Sequence, residues 1–225
     1  MGRVSNVTIK LPDRSATPAY PSARKPMAKI RIESDDGHGL ELPTPVRVAR
    51  QLSEEDLGEF ASPDLVVQAI REQENATCFA LLVDMLSRRD HSTQEAREKL
   101  TRYGFRHDCI DDSIRRAESS RYLDDSRFAS YFIEERKRRG WGRIRIEQEL
   151  KRRGIDTSTI DGYPDVFFDS CDDARRAREI LAKKRIPDNR PYEKLVRFLM
   201  GRGFSYTLAS DVVKERIASV GDDDL

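Results

Sequence analysis

Three stretches share one form: Leu100-Thr101-Arg102-Tyr103-Gly104-Phe105, Leu150-Lys151-Arg152-Arg153-Gly154-Ile155 and Leu199-Met200-Gly201-Arg202-Gly203-Phe204. Each places a leucine four residues before a glycine that is followed by a large apolar residue, and the copies lie 50 and 49 residues apart. Upstream, Ala96, Ile146 and Leu195 keep the register, as do Leu81-Leu82, Tyr131-Phe132 and Ile180-Leu181 one helix earlier. The glycine stands where a helix C-terminus needs a left-handed residue, and the apolar residue after it can pack back on the last turn. The chain is therefore read as three copies of one helical unit.

The starts of the middle helices are marked as well. Ser92 with Glu95 forms a capping box in the first copy, Asn189 and Pro191 open the third, and Gly140-Trp141-Gly142 opens the second. A further helix follows each glycine, with Ile110 and Ile114 inward in the first copy and Leu208, Val212 and Val213 in the third. In the second copy, Gly162-Tyr163-Pro164 should shorten or break that helix. A unit of about 50 residues buries little surface by itself, so stacking is expected to join the units along a continuous hydrophobic seam. The fold class read from this is mainly α: three tandem three-helix repeats in a short curved solenoid, a surface suited to a long partner.

Composition agrees with narrow apolar stripes. Of 225 residues, 36% are charged and 37% hydrophobic, with 41 Lys and Arg against 40 Asp and Glu. The stretch Ala76-Thr77-Cys78-Phe79-Ala80-Leu81-Leu82-Val83 stops at Asp84, far short of the roughly 20 apolar residues of a membrane span. Met1–Lys10 shows no secretory pattern, so a cytoplasmic location and no membrane partner are expected. Three cysteines, Cys78, Cys109 and Cys171, include no C-x-x-C pair and read as reduced structural thiols.

Residues 1–28 hold Pro12, Pro18, Pro21 and Pro26 among few large apolar groups and are expected to form a disordered tail. Residues 29–61 read as a β-hairpin plus short helix. Lys29-Ile30-Arg31-Ile32-Glu33 and Val46-Arg47-Val48-Ala49-Arg50 alternate with period two around the turn residues Asp35-Asp36-Gly37-His38-Gly39, and a helix starts from Ser53. Pro43 and Pro45 fit the edge or start of the second strand. The alternating Lys29 and Arg31 suggest a second contact surface. Ser62-Pro63 opens the helical part, divided as repeat 1 with its entry helix over 62–121, repeat 2 over 122–169, and repeat 3 with an acidic C-terminus over 170–225.

No catalytic constellation is found. His38, His91 and His107 lack metal-ligand spacing to one another or to a cysteine, and His107 beside Cys109 reads as adjacency at a helix start. The pairs Asp124-Asp125 and Asp172-Asp173 stand where a unit's first helix begins and read as caps, and Asp111-Asp112 joins them as a candidate only for chemistry that nothing else supports. Gly37-x-Gly39, Gly140-x-Gly142 and Gly201-x-Gly203 lack the partners of phosphate loops. The expectation is a non-enzyme with no cofactor and no metal.

The net charge of +1 hides a cationic segment. Residues 1–75 hold 10 basic and 12 acidic residues, whereas residues 134–154 hold nine basic and four acidic. The candidate binding residues are Arg136, Lys137, Arg138, Arg139, Arg143, Arg145, Lys151, Arg152 and Arg153, with Trp141 between two glycines. They run from one helix end across a turn into the next helix, which gathers the cations at one corner and leaves Trp141 exposed to stack on a base or enter a partner's pocket, or else plugging the junction. Arginine suits bidentate contact with phosphate or carboxylate, and charge alone does not choose between them.

At Tyr122-Leu123-Asp124-Asp125-Ser126-Arg127-Phe128-Ala129, then Arg136, Gly140, Ile146, Glu149-Leu150 and Gly154-Ile155, the sequence resembles the RecX family, regulators of the bacterial RecA recombinase. The likeness runs over about residues 76–217 and is strongest in the second copy. It implies a monomer that lies along the groove of the RecA–DNA filament and dampens ATP hydrolysis, strand exchange and co-protease activity, with weak non-specific DNA binding. The resemblance gives Phe128, Ala129, Ile146, Leu150 and Ile155 packing roles and leaves the cations and Trp141 as surface contacts. A helix-turn-helix-like DNA-binding transcriptional regulator is the alternative, which a discrete footprint on DNA would favour.

Overall fold

The computed structural model describes residues 2–13 and 23–222. They divide into two compact units, residues 1–124 and 125–225.

The first unit opens with a three-stranded antiparallel sheet of β1 (Val4–Lys10), β2 (Met27–Ser34) and β3 (Gly39–Pro45), in that spatial order. Two expectations are corrected here. The tail carries β1, whose Val7 pairs with Ile32 and whose Ile9 pairs with Ile30. Residues 24 and 25 are also fixed: Arg24 donates to the Gly104 carbonyl at 3.0 Å, and the Lys25 amide donates to the Arg102 carbonyl at 2.8 Å. Residues 14–22 of that expected tail lie outside the described residues. The hairpin's second strand is Gly39–Pro45, whereas Val46–Ala49 form the short helix α1 with Val48 and Ala49 both buried. Alternation along a strand would send Val48 and Ala49 to opposite faces, whereas helical neighbours lie about 100° apart and can share one buried side. Pro43 and Pro45 sit in an edge strand two residues apart, so both missing donors fall on the same side of the chain.

Ile30 and Ile32 turn inward onto Val66, Ile70 and Leu57. Their neighbours Lys29 and Arg31 face out, but Lys29 pairs with Glu41 at 2.7 Å and Arg31 with Glu33 at 2.9 Å, so the outer face is close to charge-balanced. Leu57 belongs to α2 (Glu54–Gly58), capped by the Ser53 hydroxyl accepting from the Asp56 amide. The long helix α3 (Pro63–Arg88) starts at Ser62 and Pro63 as expected, the Ser62 hydroxyl accepting from the Leu65 amide at 3.4 Å. It packs with α4 (Thr93–Tyr103) and α5 (His107–Ser119) around Cys78, Leu82, Leu100, Ile110 and Ile114. Buried Glu74 of α3 clamps the start of α5, accepting from the Arg106 amide at 3.0 Å and from its Nε at 2.7 Å.

The second unit holds two repeats. One consists of α6 (Asp125–Arg138), α7 (Arg143–Arg152) and a 3-10 turn at Thr157–Thr159, followed by turns through residue 167. The third helix is thus broken where Gly162 and Pro164 predict it. The other consists of α8 (Ser170–Ala182), α9 (Pro191–Gly201) and α10 (Tyr206–Asp222). The cap of α9 is Arg190 in a left-handed conformation, not Asn189, while Pro191 takes the first helical position as expected. The acidic pair Asp172-Asp173 lies inside the first turn of α8, and Asp169 is the residue that caps it.

The three repeat glycines all adopt positive φ, +93 at Gly104, +74 at Gly154 and +94 at Gly203. Each closes a Schellman motif. The amide of the following residue reaches back to the leucine carbonyl: Phe105 to Leu100 at 3.4 Å, Ile155 to Leu150 at 3.0 Å, Phe204 to Leu199 at 3.2 Å. All three leucines are fully buried.

The continuous seam is a further correction. Repeats 2 and 3 keep separate cores, one around Phe128, Ile133, Ile146 and Leu150, the other around Leu181, Leu195, Leu199 and Val213. Backbone joins them. The Gly142 amide donates to the Arg202 carbonyl at 2.9 Å and the Ile144 amide to the Gly203 carbonyl at 3.1 Å. A Cβ at Gly142 would overlap the Gly203 carbonyl carbon, and one at Gly203 would overlap Arg145, so two bare backbones meet where side chains would hold them apart.

A candidate cationic interface on the second unit

The basic run ends α6, and its turn has the same geometry as the repeat glycines. Gly140 has φ +78, its amide donates to the Lys137 carbonyl at 2.9 Å, and the Trp141 amide donates to the Arg136 carbonyl at 3.0 Å. Trp141 is therefore the apolar residue that folds back after a Schellman glycine, and it is half-buried against the repeat 2 core. This overturns the exposed tryptophan and supports its junction role. Its ring is held between two guanidiniums, Arg145 at 3.9 Å and Arg136 at 5.0 Å from the ring centroid.

The ten candidate residues divide by direction. Arg136, Lys137 and Arg153 turn inward. Arg136 also covers the Phe132 ring at 4.7 Å, Lys137 donates to the Phe167 carbonyl at 2.7 Å and to Glu134 at 3.1 Å, and Arg153 lies 5.0 Å over Phe132 and 3.0 Å from Glu149. With 17% and 15% of their side chains exposed, Arg136 and Lys137 hold the repeat together more than they present charge. Arg138, Arg139, Arg143, Arg145, Lys151 and Arg152 are exposed. Arg139 pairs with Glu135, Arg143 with Glu147 at 2.7 Å, and Arg152 with Glu149 at 3.2 Å. Such exposed pairs are worth about 0–1 kcal/mol, so an anionic partner can exchange for them at small cost. Glu147 keeps the Arg143 guanidinium more firmly protonated and also accepts from the Tyr163 hydroxyl at 2.7 Å.

A cleft of about 450 Å³ opens between the end of α6, α8 and α9. Lys137, Arg138 and Arg139 line one wall, and Arg176, Lys183, Lys184 and Arg202 contribute from repeat 3. These last four are absent from the residues expected from sequence, because a search for local runs stops within one repeat. A signal was nevertheless present: a second basic run, Lys183-Lys184-Arg185, follows α8 as Arg136-Lys137-Arg138-Arg139 closes α6.

The other titratable groups are occupied structurally. Asp111 pairs with Arg97, Asp112 with Arg115, and Asp173 with Arg176. Burial works against Asp172, but the Arg175 hydrogen bond and the charge of Arg176 hold its carboxyl below the usual range. Cys78 and Cys109 are buried in the repeat 1 core while Cys171 is exposed, and all three are free thiols. The Cys78 hydrogen bond and burial push the Cys109 thiol up, away from the reactive thiolate. Among the described residues, no three His, Cys, Asp or Glu side chains group as a metal site, and no helix is long and apolar enough to cross a membrane.

Comparison with known proteins agrees with this architecture. Residues 124–162, covering α6, α7 and the 3-10 turn, match the family model described as RecX, second three-helix domain. A regulatory protein RecX of Halorhodospira halophila is 33% identical over 142 residues, spanning 62% of this chain and 86% of the relative. One from Vibrio campbellii is 36% identical over 129 residues, spanning 55% and 81%. A crystal structure of regulatory protein RecX superposes with a TM-score of 0.56 at 17% identity, over 96% of this chain and all of the other. That of RecX from Lactobacillus salivarius gives 0.56 at 16% identity, over 64% and 97%. Identity of 33% over 86% of a relative's length, together with the matched second three-helix domain, places the chain in the RecX family of regulatory proteins.

Proposed function

We propose that this protein binds the RecA recombinase and the RecA–DNA filament and restrains the filament's ATPase, strand exchange and co-protease activity. The observation that carries the reading is family membership, with the chain spanning 86% of a relative named as a regulatory protein. The exposed cations at the α6–α7 turn and along α7 supply that contact, acting as a monomer in the cytoplasm, and a weak, sequence-indifferent attraction for DNA accompanies it.

The test measures RecA's DNA-dependent ATP hydrolysis with wild-type protein and with the triple variant Arg143→Gln, Lys151→Gln, Arg152→Gln. The wild type should inhibit, and the variant should need several-fold more protein for equal inhibition while unfolding at nearly the same temperature, since exposed charges carry little stability. Equal inhibition by both would remove the α7 cations as the contact. An inert wild-type protein would remove the recombinase as the target.

A further inference from the structure

We infer that the cleft between repeats 2 and 3 is a clamp for the sugar-phosphate backbone of a nucleic acid, with Lys183, Lys184 and Arg202 of the third repeat acting alongside Arg138. This gives a location to the attraction for DNA proposed above and rests on that part of the reading, but not on the recombinase.

Seven of the eleven lining residues are Lys or Arg, and the single carboxylate, Glu179, is bonded to Arg175 at 2.8 Å. Four of the seven, Arg138, Lys183, Lys184 and Arg202, have no carboxylate within 4.0 Å among the described residues, and Arg138 and the two lysines come from different repeats. Four unbalanced cations therefore face one cleft. Its volume is in the range of ligand sites, while its lining departs from the apolar walls that bind small neutral molecules.

Hydrogen-bonding capacity identifies the anion. Lysine and arginine only donate. Two backbone carbonyls beside these cations already accept from arginines, Arg139 from Arg202 Nη1 at 3.3 Å and Trp141 from Arg176 Nη1 at 3.0 Å. An acidic peptide entering here would bring amide donors to a wall whose one side-chain acceptor, Glu179, is already bonded to Arg175. A phosphodiester strand presents acceptors along its whole backbone and leaves nothing unpaired. Phe198, the aromatic residue of the wall, has Lys184 and Arg202 at 4.9 and 5.3 Å from its ring centroid, so its face is occupied by cations and does not offer a stacking platform for a base. The clamp should hold phosphates and ignore sequence.

The experiment is fluorescence anisotropy of a labelled oligothymidylate of about 20 nucleotides, with the full-length protein and no recombinase, over roughly 50 to 200 mM salt. The variant Lys183→Gln, Lys184→Gln, Arg202→Gln should lose about tenfold in affinity at low salt and lower the slope of log K against log salt by about 2, since each phosphate contact on a single strand contributes about 0.7. Because Arg202 also bonds the Arg139 carbonyl, the double variant Lys183→Gln, Lys184→Gln is the control, with an expected slope change of about 1.4. An oligonucleotide of mixed sequence should give the same losses. Binding that both variants retain unchanged would overturn the clamp alone, and no binding by the wild type would overturn the DNA attraction with it. Displacement by polyglutamate as readily as by unlabelled oligonucleotide would overturn the phosphodiester assignment. Displacement by inorganic tripolyphosphate at equal charge would assign the site to free polyphosphates.

Discussion

Repeats 2 and 3 share a skeleton and differ in how they finish. Both end their middle helix on a left-handed glycine with a buried leucine at the same offset, yet repeat 3 closes with the 17-residue α10 while repeat 2 has only a 3-10 turn. In place of a helix, repeat 2 covers its core with Tyr163, Phe167 and Phe168, Tyr163 lying 6.0 Å from each of the other two rings. The unit is thus defined by its glycine turn and the two helices before it, and the third element can be any apolar cover.

Equivalence of the skeletons is checked by Leu150→Ala and Leu199→Ala. Each leucine is fully buried, so each change should remove roughly 2–5 kcal/mol by leaving a cavity, measured by urea unfolding. A loss confined to Leu199→Ala would mean that the aromatic cover lets repeat 2 collapse around the gap. Next in size is the glycine joint. Gly203→Ala should lose roughly 2–4 kcal/mol, combining a left-handed alanine at about 1–2 with overpacking against Arg145. Gly201, two residues away with open space around it, is the internal control and should be neutral or gain up to about 1 kcal/mol as alanine. Equal losses at both positions would show that the two backbones do not meet as described. Smaller still is Tyr163→Phe, which keeps the ring and deletes the hydroxyl bond to Glu147, for about 1 kcal/mol that has no counterpart in repeat 3. The exposed Lys151→Gln and Arg152→Gln changes should alter stability by less than about 0.5 kcal/mol while still reducing action on RecA.

The helical units were legible because a Schellman turn leaves a fixed signature, a leucine and a glycine four apart with an apolar residue next. The same rule, applied to Arg136-Lys137-Arg138-Arg139-Gly140-Trp141, would have packed Trp141 down instead of exposing it; the missing leucine at its start concealed the motif. Strand β1 was hidden by the prolines downstream, although Val4, Val7 and Ile9 carry its apolar content. Val46-Arg47-Val48 reads equally as strand or helix because three residues fit both periods, and only burial of Val48 in the repeat 1 core, with Ala49 buried beside it, separates the two. The cleft was out of reach of local reading for another reason: its cations are up to 65 positions apart, from Lys137 to Arg202, and only the docking of one repeat on the next assembles them.

That docking is made by amides meeting carbonyls across two residues without side chains. The backbone part of that seat has no rotamers to choose among, and the arginines that reinforce it reach backbone carbonyls already held in place. The two walls of the groove are consequently in register before a guest arrives, so capture has only the lining lysine and arginine side chains to order and no repeat to move.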